Sequence, residues 1–173
     1  MEQLLSDSLE NMKTQNLEEK DKKDKKEGLQ IKRILVPIDG SAYSIRAARY
    51  AIEIATLQKA QIQCIHVIEP LPYSVGIYSF TQEEYSQEIT NQAQQWFEEI
   101  NKIAKEEGIN DIKTELIRDV ETIVSRIVKY ASDKSIDLIV IGTKGRTGFK
   151  RLLLGSVANG VTQHAHCPVL LVR

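Results

Sequence analysis

An apolar, β-branched segment, Asp137-Leu138-Ile139-Val140-Ile141, runs directly into a glycine-punctuated stretch from Gly142 to Ser156, and then into Val157-Ala158-Asn159-Gly160-Val161-Thr162. The first segment has the near-continuous apolar character of a buried parallel strand. The last reads as a helix despite its glycine. Strand, loop and helix in this order constrain the chain more than any other feature. Glycines let a backbone turn with positive φ and let its N–H groups approach a ligand closely. Ser156 suits an N-cap, and a helix N-terminus presents unpaired N–H groups at the positive end of its dipole. Together these features describe an anion site of the kind that takes phosphate. The spacing is Gly-x2-Gly-x9-Gly-Ser, at Gly142, Gly145, Gly155 and Ser156. It is neither a P-loop nor the Gly-x-Gly-x2-Gly dinucleotide fingerprint. The plain alternative is a surface loop whose glycines serve only its turns.

The rest of the chain repeats the alternation. Ile31 to Asp39 reads as a first strand, with Pro37 near its C-terminal end because proline gives the ladder no donor. Gly40 and Ser41 then turn the chain into a helix ending about Gln58, with Ile45, Ala48, Ile52 and Ala55 on one face. Gln61 to Ile68 is the second strand, and residues 69–80 a loop. A long helix opens at a Thr81/Glu84 capping box, carries Tyr85, Ile89, Ala93, Trp96, Ile100 and Ile103 on one stripe, and stops at Gly108. Lys113 to Arg118 is a third strand. Glu121 to Ser132 is a helix with Val124, Ile127, Val128 and Ala131 inward. Pro168 to Val172 is a fifth strand. Strands alternating with helices predict an α/β fold, an open five-stranded parallel sheet with helices on both faces. Right-handed crossovers allow the order 3-2-1-4-5, with a switch-point crevice between strands 1 and 4. Asp39 and Gly142 end those strands and are expected to face each other across it. As the plain alternative, Asp39 caps the following helix.

The glycine pattern, closed by Leu-Leu-Gly-Ser-Val at 153–157, resembles the ATP-binding signature of the universal stress protein family. Ile-Leu-Val-Pro-Ile-Asp-Gly-Ser at 34–41, His66-Val67, Asp-Leu-Ile-Val-Ile-Gly at 137–142 and Pro-Val-Leu-Leu-Val at 168–172 are similar to its other strands. The resemblance covers residues 31–173. It implies a Rossmann-like, adenine nucleotide alpha hydrolase-like domain over 30–173. It also implies Asp39 beside the adenosine, Val67 and Ile141 at the adenine, and Gly142, Gly145, Gly155, Ser156 and Val157 on ribose and phosphates. Pro37 and Arg146 complete the expected nucleotide-binding set. Family members commonly carry Gly-x-Pro where this chain has Glu121-Thr122-Ile123, a turn expected to lie away from strands 1 and 4.

The function so implied is that of an ATP-binding, homodimeric stress-response factor, its subunits paired through the edge strand 168–172. Its cofactor is ATP with Mg2+, with no metal ligands from the protein alone and no catalytic residues. Hydrolysis is expected to be slow or absent, since nothing near the loop reads as a general base or arginine finger. The rivals are an enzyme using ATP as a true substrate, by ATPase or nucleotidyl-transfer chemistry, and a nucleotide-free interaction module. Lys144, Arg146, Lys150 and Arg151 either screen phosphate or form a solvated face. His66 reads as a strand-end core residue, and His164 and His166 as a helix end.

Composition narrows the partners. A formal charge of -1 argues against nucleic acid held by bulk electrostatics. Cys64 and Cys167 lack CxxC spacing, which fits a reduced, cytoplasmic setting. The acidic N-terminus has no apolar leader, and no apolar run approaches the ~20 residues of a membrane span. Residues 1–29 are expected to be a disordered charged tail, since Glu18 to Glu27 is an uninterrupted charge run. Within it Leu4, Leu5, Leu9 and Met12 could line one face of a transient helix.

Overall fold

The computed structural model describes residues 30–68, 82–118, 121–146 and 154–173. The tail, the Thr81 cap, Lys150 and Arg151 lie outside them, as does the side chain of Tyr85. Within residues 31–173 the elements run β1 (Arg33–Pro37), α1 (Ala42–Gln58), β2 (Gln61–Ile68), α2 (Gln82–Glu106), β3 (Ile112–Arg118), α3 (Ile123–Asp133), β4 (Leu138–Gly142), α4 (Ser156–His164) and β5 (Val169–Val172). The five strands form one parallel sheet in the order β3-β2-β1-β4-β5.

Each element ends for a local reason. β1 is shorter than the apolar run around it. At its start the Lys32 and Arg33 amides donate to the Asp137 carboxylate at 2.9 and 2.8 Å. At its end Pro37 offers no N–H, and the Ile38 amide makes a further bond to β2, to the Ile65 carbonyl at 2.8 Å. Ser41 caps α1 by accepting from the Ser44 amide, and Lys59, at φ 55, ends it. Gly108, at φ 81, follows α2 as the expected C-terminal stop. Thr122 caps α3 in extended backbone, with Glu121 accepting from Ser125 Oγ at 2.8 Å. The turn where family members carry Gly-x-Pro is thus closed here by hydrogen bonds that the Glu121 and Thr122 side chains accept from Ser125.

The sheet separates two apolar layers. One joins Ile34, Val36 and Cys64 of the sheet to Ala48 and Ile52 of α1 and to Ala93, Phe97 and Ile100 of α2. The other joins Leu35, Ile65 and Ile139 to Ile127, Tyr130 and Ala131 of α3 and to Ala158 and Val161 of α4. Val128 is only half-buried, and Tyr130 takes the inward place the helical spacing had given it. Its hydroxyl reaches Glu115 Oε2 at 2.8 Å and Gln63 Oε1 at 3.2 Å. A buried phenol needs such a partner.

Gly142 ends β4 where α1 crosses it. A Cβ there would lie 2.7 Å from the Tyr43 carbonyl carbon, a backbone atom with little room to retreat. Gly142→Ala is therefore expected to destabilise the domain by about 1–3 kcal/mol, as overpacking does. Urea unfolding of wild type and variant at equal m-value measures it.

Candidate functional site

β1 pairs with β4 only at Ile34–Leu138 and Leu35–Ile139. Beyond those pairs α1 leaves β1 for one face and α4 follows β4 on the other, as at any switch point. The parted strand ends open a cavity of about 570 Å³, lined by Pro37, Asp39, Val67, Ile141 and Gly142. Gly145, Arg146, Gly155, Ser156 and Val157 line its other side, so all ten residues expected at a nucleotide site surround one space. Ile123 and Ile127 of α3 line it too. This corrects the expectation that the Glu121-Thr122-Ile123 turn lies away from strands 1 and 4. The helical spacing had put Ile127 inward, but nothing in the sequence said that the inward direction ended in the crevice.

The cavity lining has an apolar and a polar part. Pro37, Val67, Ile123, Ile127 and Ile141 make a slot suited to a flat, weakly polar group. The polar part is Asp39, Lys144, Arg146 and the start of α4. Asp39 Oδ1 accepts from the Ser41 amide at 3.0 Å and its hydroxyl at 2.7 Å. Oδ2 accepts from the Arg146 amide at 3.1 Å. Asp39 is thus not the cap of α1, which is Ser41. It bridges the β1 turn to the loop after β4, and Ser41 Oγ adds a longer contact of 3.3 Å to the Lys144 carbonyl. A carboxylate has about four lone-pair sites, so capacity for a ligand remains.

The loop glycines serve close approach rather than unusual backbone. Among the described residues only Gly40 and Gly108 are glycines with positive φ, at 77 and 81. A Cβ at Gly145 would sit 2.8 Å from Asp39 Oδ2, and one at Gly155 3.3 Å from the Thr143 carbonyl oxygen. Gly155, not Ser156, is the N-cap of α4, in extended backbone and with no side-chain cap bond. Its own amide donates to Thr143 O at 2.7 Å. The open donors are therefore those of the first turn, from Ser156 on, which no described side chain covers.

His66 lies where β2 meets the cavity. Its Nδ1 is 2.7 Å from the Ile38 carbonyl oxygen, so this nitrogen carries the proton and donates. The ring meets Trp96 edge-on at 5.3 Å and 85°. Burial lowers its pKa, opposed by the Ile38 bond and by Asp39. His66 is thus half-buried and neutral, both packed in the core and lining the cavity. His164 ends α4, its Nδ1 2.8 Å from the Gly160 carbonyl. Among the described residues no group of His, Cys, Asp or Glu could hold a metal ion. No described helix is long and apolar enough to cross a membrane.

The model of the universal stress protein family matches residues 30–173. The chain belongs to that family. It is 41% identical over 143 residues to universal stress protein MJ0531 of Methanocaldococcus jannaschii, covering 82% of each chain. It is 33% identical over 146 residues to universal stress protein YxiE of Bacillus subtilis, covering 82% of this chain and 98% of that one. Among solved structures, a universal stress protein in complex with cAMP is 26% identical, with TM-score 0.64, and the match covers 83% of this chain and 98% of that one. Universal stress protein UspA of Lactobacillus plantarum, 24% identical with TM-score 0.72, shares the fold over 84% of this chain and 100% of its own. The five-stranded sheet in the order 3-2-1-4-5 is thus the universal stress protein architecture.

The unfolded chain protonates histidine more readily than the buried His66 does. Stability is therefore fully present above the ordinary value of 6.5 and falls as pH drops through that value toward the lower folded pKa. Melting temperatures between pH 7.5 and 5 are expected to decline less in His66→Gln than in wild type.

Proposed function

We propose that the cavity binds ATP with Mg2+, its adenine in the slot of Val67, Ile123, Ile127 and Ile141 and its phosphates at the first turn of α4. Asp39 takes the ribose side and Arg146 the phosphate side. The observation that carries this reading is the cavity's mixed lining: apolar side chains together with Lys144, Arg146 and a helix N-terminus that no described side chain caps. The neighbour solved with cAMP is consistent with an adenine nucleotide here.

The protein then works as a cytoplasmic, nucleotide-dependent stress-response factor and not as a dedicated ATPase. Asp39, the carboxylate of the described lining, already accepts three hydrogen bonds that hold the turn and the loop. A general base free to take a proton from water is what fast hydrolysis needs.

Ser156→Pro tests the phosphate end. Proline is tolerated at the first helical position, and Gly155, at φ -73 and ψ 159, already has the backbone that precedes it. The change removes one N–H and leaves the helix. Losing one charge-assisted bond of about 1.5–3 kcal/mol weakens ATP roughly ten- to 150-fold. Adenosine binding stays unchanged, and Ser156→Ala, which keeps the N–H, stays near wild type for both. Calorimetric titration showing equal ATP affinity in all three proteins would place the phosphates elsewhere.

The assembly we propose is a homodimer paired through β5. This strand lies at the sheet edge with Leu170 and Leu171 each 36% exposed, and an apolar edge is a template for pairing. Sedimentation at roughly tens of micromolar, a concentration above ordinary dimer dissociation constants, is expected to give a dimer. Leu170→Lys is expected to give a folded monomer.

A further inference from the structure

Trp96 stands on α2, outside every motif that marks the site. Three neighbours fix its place. A Cβ on Gly40 would fall inside its indole, so the glycine at the β1–α1 turn is what admits the ring. His66 meets the ring edge-on. The Arg146 guanidinium carbon lies 5.5 Å from the ring centroid, within the range of a cation–π contact. Arg146 thus leaves the glycine loop and comes to rest on a helix of the opposite layer.

The details suit an anion. The Arg146 amide is held by Asp39 Oδ2 at 3.1 Å, which fixes the backbone from which its side chain springs. Stacking covers the flat face of a guanidinium and leaves its in-plane N–H donors open. Among the described residues no hydrogen bond takes them up, and the residue lines the cavity. Elsewhere a long cationic side chain loses rotamer freedom when it captures a ligand. Here the fixed backbone and the contact with the Trp96 ring restrict that freedom beforehand.

We propose that Trp96 is a positioning residue for phosphate selectivity. It holds Arg146 in the polar part of the cavity lining, so that the site ranks adenine nucleotides by phosphate charge above the bare nucleoside. This rests on the reading of the cavity as a nucleotide site.

Affinities for ATP and adenosine in wild type, Trp96→Leu, Trp96→Phe and Arg146→Lys test it. Loss of the stack is expected to weaken ATP about two- to thirty-fold in Trp96→Leu and to leave adenosine unchanged. Trp96→Phe recovers part of the loss. Arg146→Lys keeps the charge but not the planar stack, and behaves like Trp96→Leu. If Trp96→Leu does not fold, Trp96→Phe and Arg146→Lys carry the comparison, with adenosine binding as the check on the cavity. Trp96 is the only tryptophan in the chain. Its near-ultraviolet dichroism without ligand is therefore expected to change in Arg146→Lys, and an unchanged spectrum overturns the contact itself. ATP and adenosine falling together, or neither falling, overturns the selectivity role and leaves the nucleotide site standing. A wild type that binds neither overturns both.

Discussion

The Asp39 carboxylate accepts from the Ser41 amide and hydroxyl on one side and, 107 residues later, from the Arg146 amide on the other. The ladder between β1 and β4 spans two residue pairs, and beyond it the strands part because their helices leave for opposite faces. Parted strand ends give a crevice but do not hold its rim. Asp39 does that with charge-assisted bonds, which are stronger than neutral ones and least screened where water is partly excluded. Gly145 belongs to the same device: any side chain there would meet the carboxylate oxygen. The shape of the site depends on one acid seating one loop.

Strands and helices were legible because each buries one periodic set of side chains. The runs 34–38 and 138–141 are apolar throughout, as a sheet covered on both faces requires. The ten residues expected around the crevice do surround it, since a switch point is fixed by strand order. What each backbone group does there was less legible. Ser156 looks like a cap because of its hydroxyl, yet Gly155 holds that position, and its amide is spent on Thr143. The loop glycines suggested left-handed backbone. They answer instead to neighbours distant in sequence, Tyr43 and Asp39, which no local pattern names. Ile123 and Trp96 were hidden for the same reason, since their roles come from packing between elements.

The two parts of the cavity lining obey different physics. The apolar lining acts on any occupant through shape and desolvation, terms that salt hardly touches. Lys144, Arg146 and the first turn of α4 act through charge, an influence that weakens as ionic strength rises. The charge of the lining can therefore change without rebuilding its apolar part. The turn before α3 shows a similar independence: Glu121 and Thr122 close it by side-chain hydrogen bonds and still deliver Ile123 to the cavity.

The Thr143 amide, the first of the loop, donates at 2.8 Å to the Val172 carbonyl of β5. β5 leaves the ribosome after every residue that lines the cavity. A nascent chain can form the β1–β2–β3 half of the sheet and even seat β4 while Thr143 still lacks its acceptor. The rim is completed last, so the closed cavity belongs to the finished fold and not to its assembly.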